Sequence, residues 1–319
     1  MDILNQLFIT NISPPLKWVG GKKQLLKELI AATEKFKKQS KIDNFTYHEP
    51  FFGGGALFFE LSLNQSIKKA HINDINVELM ILYNSIKDSE SLNELIKKLS
   101  KLEKKFNASQ QREVLYKDWR KKFNDLLAIN KPKSSEKIEL SALLIALNKT
   151  CFNGVYRKNK KGEFNVPFGS KKTESVRFYD EENLLKVNKA FNNSELTNKS
   201  FEKAINFTKI KKNHLVFLDP PYIPVSKTAQ FKSYYDDGFS NEEHELLASK
   251  LDEIDSKGAF FILTNSNTEL TTKIYLQNSK FNKYEVNVAR MINRVGKDET
   301  GSGTKELIIT NFKVPNLGN

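Results

Sequence analysis

Four consecutive residues, Asp219-Pro220-Pro221-Tyr222, could hold and activate an aromatic amine. The two prolines fix the backbone and leave its carbonyl groups as free acceptors. A carboxylate beside a rigid carbonyl offers two acceptors to one NH2 group, which withdraws the amine lone pair from ring conjugation and points it at an electrophile. The Tyr222 ring could stack on the aromatic ring that carries this amine. A rigid turn in which Asp219 only caps a strand is the alternative interpretation.

A glycine turn at residues 53–55 forms a second candidate site. Glycines let a backbone approach a ligand closely. A dinucleotide fingerprint G-x-G-x-x-G would need glycine where the chain has Phe58, so no pyrophosphate site is predicted. Asp74, about 20 residues after the turn, could accept hydrogen bonds from ribose hydroxyls. The two features favour a nucleoside cofactor, with a loose glycine-rich turn as the alternative.

Two basic segments could bind anions. Near the N-terminus, Lys17, Trp18 and Lys22 surround a glycine pair and could line a cofactor pocket, although a buried anchor tryptophan is the commoner case. The second segment is CFNGVYRKNKKGEFNVPFG at 151–169. Its Arg157 could read guanine O6 and N7, and an aromatic such as Phe152 could wedge into a base stack. A β-hairpin with a charged tip is the alternative for this segment.

The elements that must position these residues alternate along the chain. A strand, glycine turn, helix, strand and acid follow one another from 45 to 74, which is the opening of a doubly wound α/β sheet. Asp219 follows a buried strand at 214–218, and strand ends are where ligands bind in such sheets. Ser240 and Glu243 form a capping signature for a helix to 254. Further strands are predicted at 259–264, 284–290 and 306–312, the last two as edge-like strands joined by a Gly-rich turn.

Between the sheet segments, residues 76–147 show apolar spacing typical of helices and a high charge. A solvated loop is predicted inside this region at 131–137. The polar and aromatic stretch 223–238 fits a lid over the pocket or an ordinary surface loop. The pattern therefore indicates a parallel-type sheet interrupted by a helical, basic insertion.

The charge, the cysteine and histidine counts and the hydropathy of the chain limit the classes of function that it can have. The formal net charge is +13, from 51 Lys+Arg and 38 Asp+Glu, which favours a polyanionic partner, although an AT-rich genome also enriches lysine. One cysteine excludes an internal disulfide, and four scattered histidines do not form a zinc pattern. No apolar run approaches the roughly 20 residues of a membrane span. We predict no signal peptide in residues 1–12, and therefore a cytoplasmic protein.

The order of these motifs resembles the Dam-like, D12-class DNA adenine-N6 methyltransferases over nearly the whole chain. In that family K-W-x-G-G-K, E-P-F-x-G-x-G, N-D-I-N, F-N-G-x-x-R…G-E-F-N-V-P-F-G and D-P-P-Y follow in the order seen here. The resemblance implies a Rossmann-like S-adenosylmethionine-dependent methyltransferase sheet with an inserted helical and hairpin DNA-recognition domain. Residues 1–84 and 186–319 would form the catalytic domain, and 85–185 the insertion.

The resemblance also implies roles for matching positions. The implied catalytic motif is Asp219, Pro220, Pro221 and Tyr222. The implied S-adenosylmethionine-binding set is Trp18, Lys22, Glu49, Phe51, Gly53, Gly55, Asp74 and Asp219. The implied DNA-binding set is Lys17, Phe152, Asn153, Val155, Arg157 and Pro167, with Lys17 and Arg157 at positions that read guanines in GATC-specific members.

Two positions depart from the family pattern. Phe152 stands where many members carry tyrosine, which keeps stacking but loses a hydroxyl. Ser170 stands where a basic residue often follows P-F-G, with Lys171 and Lys172 next, so one phosphate contact is weakened.

The implied reaction flips adenine out of double-stranded DNA and needs no metal. A cytosine-N4 methyltransferase is an alternative, although Ser commonly takes the Asp219 place there. A DNA-binding relative without catalysis and a nicotinamide-dependent oxidoreductase are the rivals from other classes. We expect a monomer, and a restriction endonuclease of the same system could be a functional partner.

Overall fold

The structure is a computed structural model that describes residues 11–18, 20–22, 24–169, 174–205, 210–225, 239–288, 304–315 and 317. Most of the segment predicted to be a lid or loop, residues 226–238, lies outside the described residues, as do Ser170, Lys171, Lys172 and the Gly-rich turn before the last strand. The chain divides into two compact units. The first unit comprises Met1–Gly21, Gly53–Asn64 and Asp74–Asn198, and the second comprises Lys22–Phe52, Gln65–Asn73 and Lys199–Asn319.

Helices and strands alternate in the order that the sequence pattern indicates. The helices are α1 Leu26–Ser40, α2 Ala56–Leu63, α3 Val77–Lys87, α4 Ser89–Ala108, α5 Arg112–Leu127, α6 Ser134–Thr150, α7 Glu181–Ala190, α8 Phe201–Ala204, α9 Asn241–Ser256 and α10 Glu269–Tyr275. The strands are β1 Phe45–Glu49, β2 Ile67–Asn73, β3 Ser194–Thr197, β4 Leu215–Leu218, β5 Phe260–Ser266, β6 Asn282–Val288 and β7 Thr304–Thr310.

Six of the seven described strands belong to the second unit, where they lie in the order β2-β1-β4-β5-β7-β6. Strands β2, β1, β4 and β5 are parallel, and β7 runs antiparallel to both β5 and β6. The chain extends the sheet from β1 to β2 on one side and from β4 to β5 on the other. The carboxyl ends of β1 and β4 therefore form a topological switch point, which is where open α/β sheets bind ligands.

The core of the second unit explains why these segments are strands. All four residues of β4 are buried, and β5 is buried at six of seven positions. Central parallel strands covered on both faces need such continuous apolar runs. Helix α9 begins at the predicted cap, where the Ser240 hydroxyl accepts from Glu243 N and the Glu243 carboxylate accepts from Ser240 N.

The prediction that the last strand is edge-like was wrong. Strand β7 pairs with β5 on one side, as in Leu263 with Ile309, and with β6 on the other, as in Lys283 with Ile309. Leu307, Ile308 and Ile309 are fully buried as a result. An apolar strand of this kind is stable in the sheet interior, because both of its rows of backbone polar groups find partners there.

The first unit is mainly helical. Helix α6 is buried around most of its circumference and packs against α3, α4 and α5, as expected for a helix without a polar face. The predicted loop at 131–137 was wrong in its second half, because α6 begins at Ser134. The Glu136 carboxylate accepts from the Lys133 backbone N–H at 2.6 Å, which satisfies an amide at the start of the helix.

A hairpin follows α6 in the first unit, as the sequence alternative predicted. Cys151 pairs with Phe168 and Lys158 with Phe164 in antiparallel bridges. The turn closes through a hydrogen bond from Gly162 N to Asn159 O at 2.9 Å, with Gly162 at φ 78°. Across both units, none of the helices among the described residues is long and apolar enough to cross a membrane.

Candidate active site

The carboxyl end of β4 presents Asp219, whose side chain is held by two partners in the second unit. Lys22 Nζ lies 2.9 Å from Asp219 Oδ2, and both side chains are largely buried, at 10% and 18% exposure. The Thr264 hydroxyl donates to Asp219 Oδ1 at 2.6 Å. Each carboxylate oxygen therefore has a donor, which fixes the orientation of the carboxylate plane.

The register of the parallel sheet places Thr264 beside Asp219. Leu218 of β4 pairs with Leu263 of β5, and the next residue of each strand is Asp219 and Thr264. Because carboxyl ends of parallel strands meet at one edge, polar residues that follow two apolar runs come together there.

The surroundings of Asp219 act on its pKa in both directions. Burial raises the pKa of Asp219 above its ordinary value, and the nearby Glu306 charge adds to this. The Lys22 ammonium and the Thr264 hydrogen bond lower that pKa. The ion pair and hydrogen bond therefore favour the anionic form, which is the form that accepts hydrogen bonds with both oxygens.

Tyr222 is oriented by contacts at both ends of its side chain. Its hydroxyl donates to Glu306 Oε2 at 2.7 Å, and Lys22 Nζ lies 4.6 Å from the centroid of its ring. Burial, with Asp219 and Glu306 close by, raises the pKa of Tyr222. The phenol is therefore neutral, and its hydroxyl and its ring are each in contact with a charged side chain.

The turn that contains the two prolines is anchored at its far end. Asn265 Oδ1 accepts from Ile223 N at 3.0 Å, and the Ser266 hydroxyl donates to Ile223 O at 2.5 Å. Pro220 is buried and Pro221 is exposed. Strand β5 thus holds both ends of the motif, through Thr264 at Asp219 and through its last two residues at Ile223.

Two further predicted cofactor residues belong to the second unit. Glu49, at the end of β1, is 2% exposed, and its Oε2 accepts from the Tyr47 hydroxyl at 2.9 Å. Phe51 stacks on Phe201 with ring centroids 5.4 Å apart. It also makes a T-shaped contact with Phe239, with ring centroids 5.7 Å apart. Phe51 therefore packs against the hydrophobic core, and Glu49 is held at the switch-point end of β1.

The glycine turn and Asp74 are joined directly in the first unit. Asp74 Oδ2 accepts from Gly53 N at 2.7 Å, and Oδ1 accepts from Asn76 N at 2.9 Å. Gly53 and Gly55 adopt left-handed φ angles of 48° and 67°. Burial raises the pKa of Asp74, while the backbone hydrogen bonds oppose that rise. The geometry therefore brings the glycine turn and Asp74 together, as a shared binding site would require.

Trp18 lies over the same turn. A Cβ added to Gly53 would lie 3.1 Å from Trp18 Cδ1, so the ring packs against a position that needs glycine. Trp18 also stacks on Tyr156, with centroids 5.2 Å apart and an interplanar angle of 25°. The tryptophan is half-buried rather than a buried anchor.

The chemistry of the groups in each unit fits a nucleoside cofactor. A carboxylate has about four lone-pair sites, so Asp74 keeps acceptor capacity after its hydrogen bonds from the backbone of Gly53, Ile75 and Asn76. A carboxylate at a strand end beside a left-handed glycine turn is the donor and acceptor set that binds ribose hydroxyls. The first unit holds Trp18, Gly53, Gly55 and Asp74 of the predicted set, and the second unit holds Lys22, Glu49, Phe51 and Asp219.

The predicted DNA-binding residues all belong to the first unit, and they are exposed or half-buried. Phe152 is 55% exposed at the start of the hairpin, although it is a large apolar side chain. Arg157 Nε donates to Asn165 Oδ1 at 2.9 Å across the hairpin. The exposed residues of this set are Lys17, Phe152, Asn153, Arg157 and Pro167, and Val155 is half-buried.

Sequence reasoning missed three residues that hold the predicted ones. Thr264 and Glu306 contact Asp219 and Tyr222, and Asn148 binds the backbone at Lys17. Thr264 could have been found from the sequence, because it is the polar residue that ends the apolar run at 259–264. The carboxyl ends of adjacent parallel strands lie at the same edge of the sheet, which places Thr264 near Asp219. Within the described ranges, no group of three or more His, Cys, Asp or Glu side chains is placed to hold a metal ion.

Several known proteins are similar to this chain over most of its length. It is 37% identical to the Type II methyltransferase M.MjaIII of Methanocaldococcus jannaschii, over 94% of this chain and 99% of that protein. It is 34% identical to M1.LlaDCHI of Lactococcus lactis subsp. cremoris, over 95% and 96%. The DNA adenine methylase of Escherichia coli K12 is 29% identical over 88% and 89%. The solved rRNA methyltransferase aviRa of Streptomyces viridochromogenes aligns with a TM-score of 0.31 at 12% identity over 88% of this chain and 83% of that one, too low to support a conclusion.

The family model for D12 class N6 adenine-specific DNA methyltransferases matches residues 18–292. That span contains the glycine turn, the hairpin and the β4 motif, and these residues follow the family order predicted from the sequence. The fold prediction of an S-adenosylmethionine-dependent methyltransferase sheet is confirmed, and cytosine is excluded as the family's target base. The chain belongs to the D12 class of N6 adenine-specific DNA methyltransferases.

Proposed function

We propose that this adenine methyltransferase acts on GATC in double-stranded DNA and that Asp219, Pro220, Pro221 and Tyr222 form its catalytic motif. The observation that carries the proposal is the fixed carboxylate of Asp219 at the β1/β4 switch point, held by Lys22 and Thr264. A carboxylate fixed at both oxygens beside a proline-locked carbonyl is suited to one exocyclic amine.

The target adenine must leave the duplex before it can react, because its N6 atom is not accessible within the stack. Asp219 and the Pro220 carbonyl would then accept hydrogen bonds from the N6 amine, and Tyr222 would stack on the ring. Most of the rate enhancement would come from orientation of the amine, since no strong base is needed to position its lone pair. Bound S-adenosylmethionine supplies an electrophilic methyl group on a sulfonium centre.

Asp74 and the glycine turn are proposed to hold the nucleoside part of the methyl donor. Asp74 would accept from ribose hydroxyls, and Gly53 and Gly55 would let the backbone come close. Support comes from the Asp74 bond to Gly53 and from the left-handed turn. The other members proposed are Trp18, Lys22, Glu49, Phe51 and Asp219.

Sequence recognition is proposed for Lys17 and the hairpin. Lys17 and Arg157 are exposed cations that would each read a guanine, and Phe152 would enter the base stack. Asn153, Val155 and Pro167 would contact the central base pairs. Residues 85–185 are proposed as the inserted DNA-recognition domain, and residues 1–84 and 186–319 as the catalytic domain, which contributes Lys17 to recognition.

Further features of the proposal concern the biological setting. Similarity to two proteins named Type II methyltransferases supports a role beside a restriction endonuclease of the same system. The enzyme would act as a monomer in the cytoplasm, where its DNA is accessible, and without a metal. Transfer that is unchanged by EDTA would support the metal-free reaction.

The deciding experiment measures transfer of labelled methyl from S-adenosylmethionine to duplexes that contain GATC, GATATC or no GAT. We expect N6-methyladenine in the GATC duplex alone. Transfer to every GAT-containing duplex would overturn the proposed readers while keeping the reaction. Absence of transfer to any duplex by a folded enzyme would contradict the proposed catalytic motif.

A further inference from the structure

Asn148 connects the two DNA-reading segments of the first unit. It lies in the last turn of α6 and is 4% exposed. Its Nδ2 donates to Lys17 O at 3.0 Å and to Gly154 O at 2.8 Å, and its Oδ1 accepts from Lys17 N at 3.0 Å. One side chain thus binds the backbone of the N-terminal segment and the backbone of the hairpin.

Gly154 adds a steric constraint on the same lysine. It has a left-handed φ of 67°, and a Cβ there would lie 2.8 Å from Lys17 Cδ. The aliphatic stem of Lys17 therefore packs directly on the bare backbone of the hairpin. The main chain of Lys17 is fixed by Asn148, and the direction of its side chain is limited by Gly154.

We infer that Asn148 is a positioning residue for DNA specificity, which holds Lys17 at a fixed place against the hairpin so that its ammonium group reaches one guanine. This inference rests on the proposed function of Lys17 as a guanine reader. A lysine carries a point charge on a flexible side chain. Its ability to discriminate between DNA bases therefore depends on how firmly its own backbone is held. Asn148 itself is buried and acts through Lys17 rather than on DNA.

The charge around Lys17 is consistent with this role. Burial, together with the Lys17 ammonium, lowers the pKa of Lys149, the residue after Asn148. Two cations held near one another favour an electronegative partner between them, such as a base acceptor or a phosphate.

The test compares Lys17→Met, Asn148→Ser and the double variant on GATC duplexes in which each guanine in turn is replaced by 7-deazaguanine, which lacks the N7 acceptor. The readout is the ratio of kcat/KM for the intact and the substituted duplex. We expect Lys17→Met to reduce this ratio about tenfold at one guanine. Asn148→Ser should reduce it at the same guanine by a similar factor, and the double variant should lose nothing further.

Asn107→Ser is the matched control. Asn107 of α4 also clamps a distant backbone, with Nδ2 donating to Val176 O at 3.0 Å and Oδ1 accepting from Val176 N at 2.9 Å. Both serine variants should lose stability, because each leaves buried backbone groups without partners. Only Asn148→Ser should lose discrimination between guanines.

The outcomes separate the inference from the proposed function. If Lys17→Met changes discrimination at no guanine, the proposed role of Lys17 fails and the inference with it. If Lys17→Met relaxes discrimination at one guanine while folded Asn148→Ser does not, only the inference is overturned. The same holds if Asn148→Ser causes a further loss of discrimination in the Lys17→Met background. Should Asn148→Ser not fold, Asn148→Asp decides by the same criterion, since it keeps the acceptor for Lys17 N and removes the donor to Lys17 O and Gly154 O.

Discussion

Lys22 and Asp219 form an ion pair in which the ammonium nitrogen lies 2.9 Å from Oδ2. The pair matters because Asp219 can accept with both oxygens only when it is ionised, and burial favours its protonated form. Lys22 opposes that effect while its charge also lies 4.6 Å from the Tyr222 ring. Lys22, a residue of the N-terminal K-W-x-G-G-K segment, therefore lowers the pKa of Asp219 in the Asp-Pro-Pro-Tyr motif.

Replacement of Lys22 by methionine should move the acid limb of the activity profile to higher pH. Lys22 lowers the pKa of Asp219, so its removal raises that pKa, and the active anion is then lost at a higher pH. The measurement is kcat/KM as a function of pH. Lys37→Met, which removes an ion pair with Glu34 in the same unit, should leave the limb in place. An unmoved limb in Lys22→Met would contradict the coupling.

Asp219→Ala should abolish methyl transfer and leave duplex binding largely intact. Loss of one pre-organised hydrogen-bonding group typically costs about 10²–10³ in kcat, and here the group also positions the amine. Transfer of labelled methyl and a gel-shift titration with the GATC duplex measure the two effects. Asp43→Ala, which changes an exposed carboxyl group of the same unit, is the control. Appreciable activity in Asp219→Ala would refute its catalytic role.

Thr264→Val should lower kcat about tenfold, because the isosteric side chain cannot donate to Asp219 Oδ1. Its acid limb should also move to higher pH, since the lost hydrogen bond lowers the pKa of Asp219. Thr264→Ser keeps the hydroxyl and should restore most of the rate. If the serine and valine variants are equally impaired, packing rather than the hydrogen bond explains the loss.

Arg157→Ala should relax discrimination at one guanine at a cost of about 1–3 kcal/mol in transition-state binding. Arg157 is exposed and its Nε donates to the Asn165 side chain across the hairpin, so truncation of its side chain should leave the fold intact. Methylation rates on singly substituted GATC duplexes measure the effect. Arg177→Ala, at another exposed arginine of the same unit, should weaken no single base preference. An unchanged preference in Arg157→Ala would remove it from the readers.

His244 should make the enzyme lose stability in acid. Burial lowers the pKa of His244 from 6.5 to about 4, so the unfolded chain binds a proton more readily than the folded protein does between these values. Its contribution is complete above pH 6.5 and falls by roughly 3 kcal/mol as the pH drops to about 4. Urea unfolding of wild type and His244→Asn across this range measures the difference. Parallel pH dependences in the two proteins would contradict the assignment.

The local elements of the fold could be predicted from the sequence. The apolar run before Asp219, the glycine turn before α2 and the cap at Ser240 each lie within a few residues and have the predicted structure. The spacing of apolar residues indicates which side chains face a core. These helices and strands, and the motifs at their ends, can therefore be predicted from the sequence alone. The family order of the motifs then identified the reaction.

The partners of the site residues could not be predicted in this way. Thr264 and Glu306 meet Asp219 and Tyr222 only because β5 lies beside β4 and β7 beside β5. The place of β7 inside the sheet was itself predicted wrongly from its sequence.

The sequence by itself determined the enzyme class and the approximate positions of the strands and helices that carry the Asp-Pro-Pro-Tyr motif. Tertiary structure decided which side chains orient that motif and which amide joins Lys17 to the hairpin. The physical reason is that burial periodicity is a local property. A hydrogen bond between residues 45, 84 or 131 positions apart depends instead on strand order and helix packing, which no short pattern encodes.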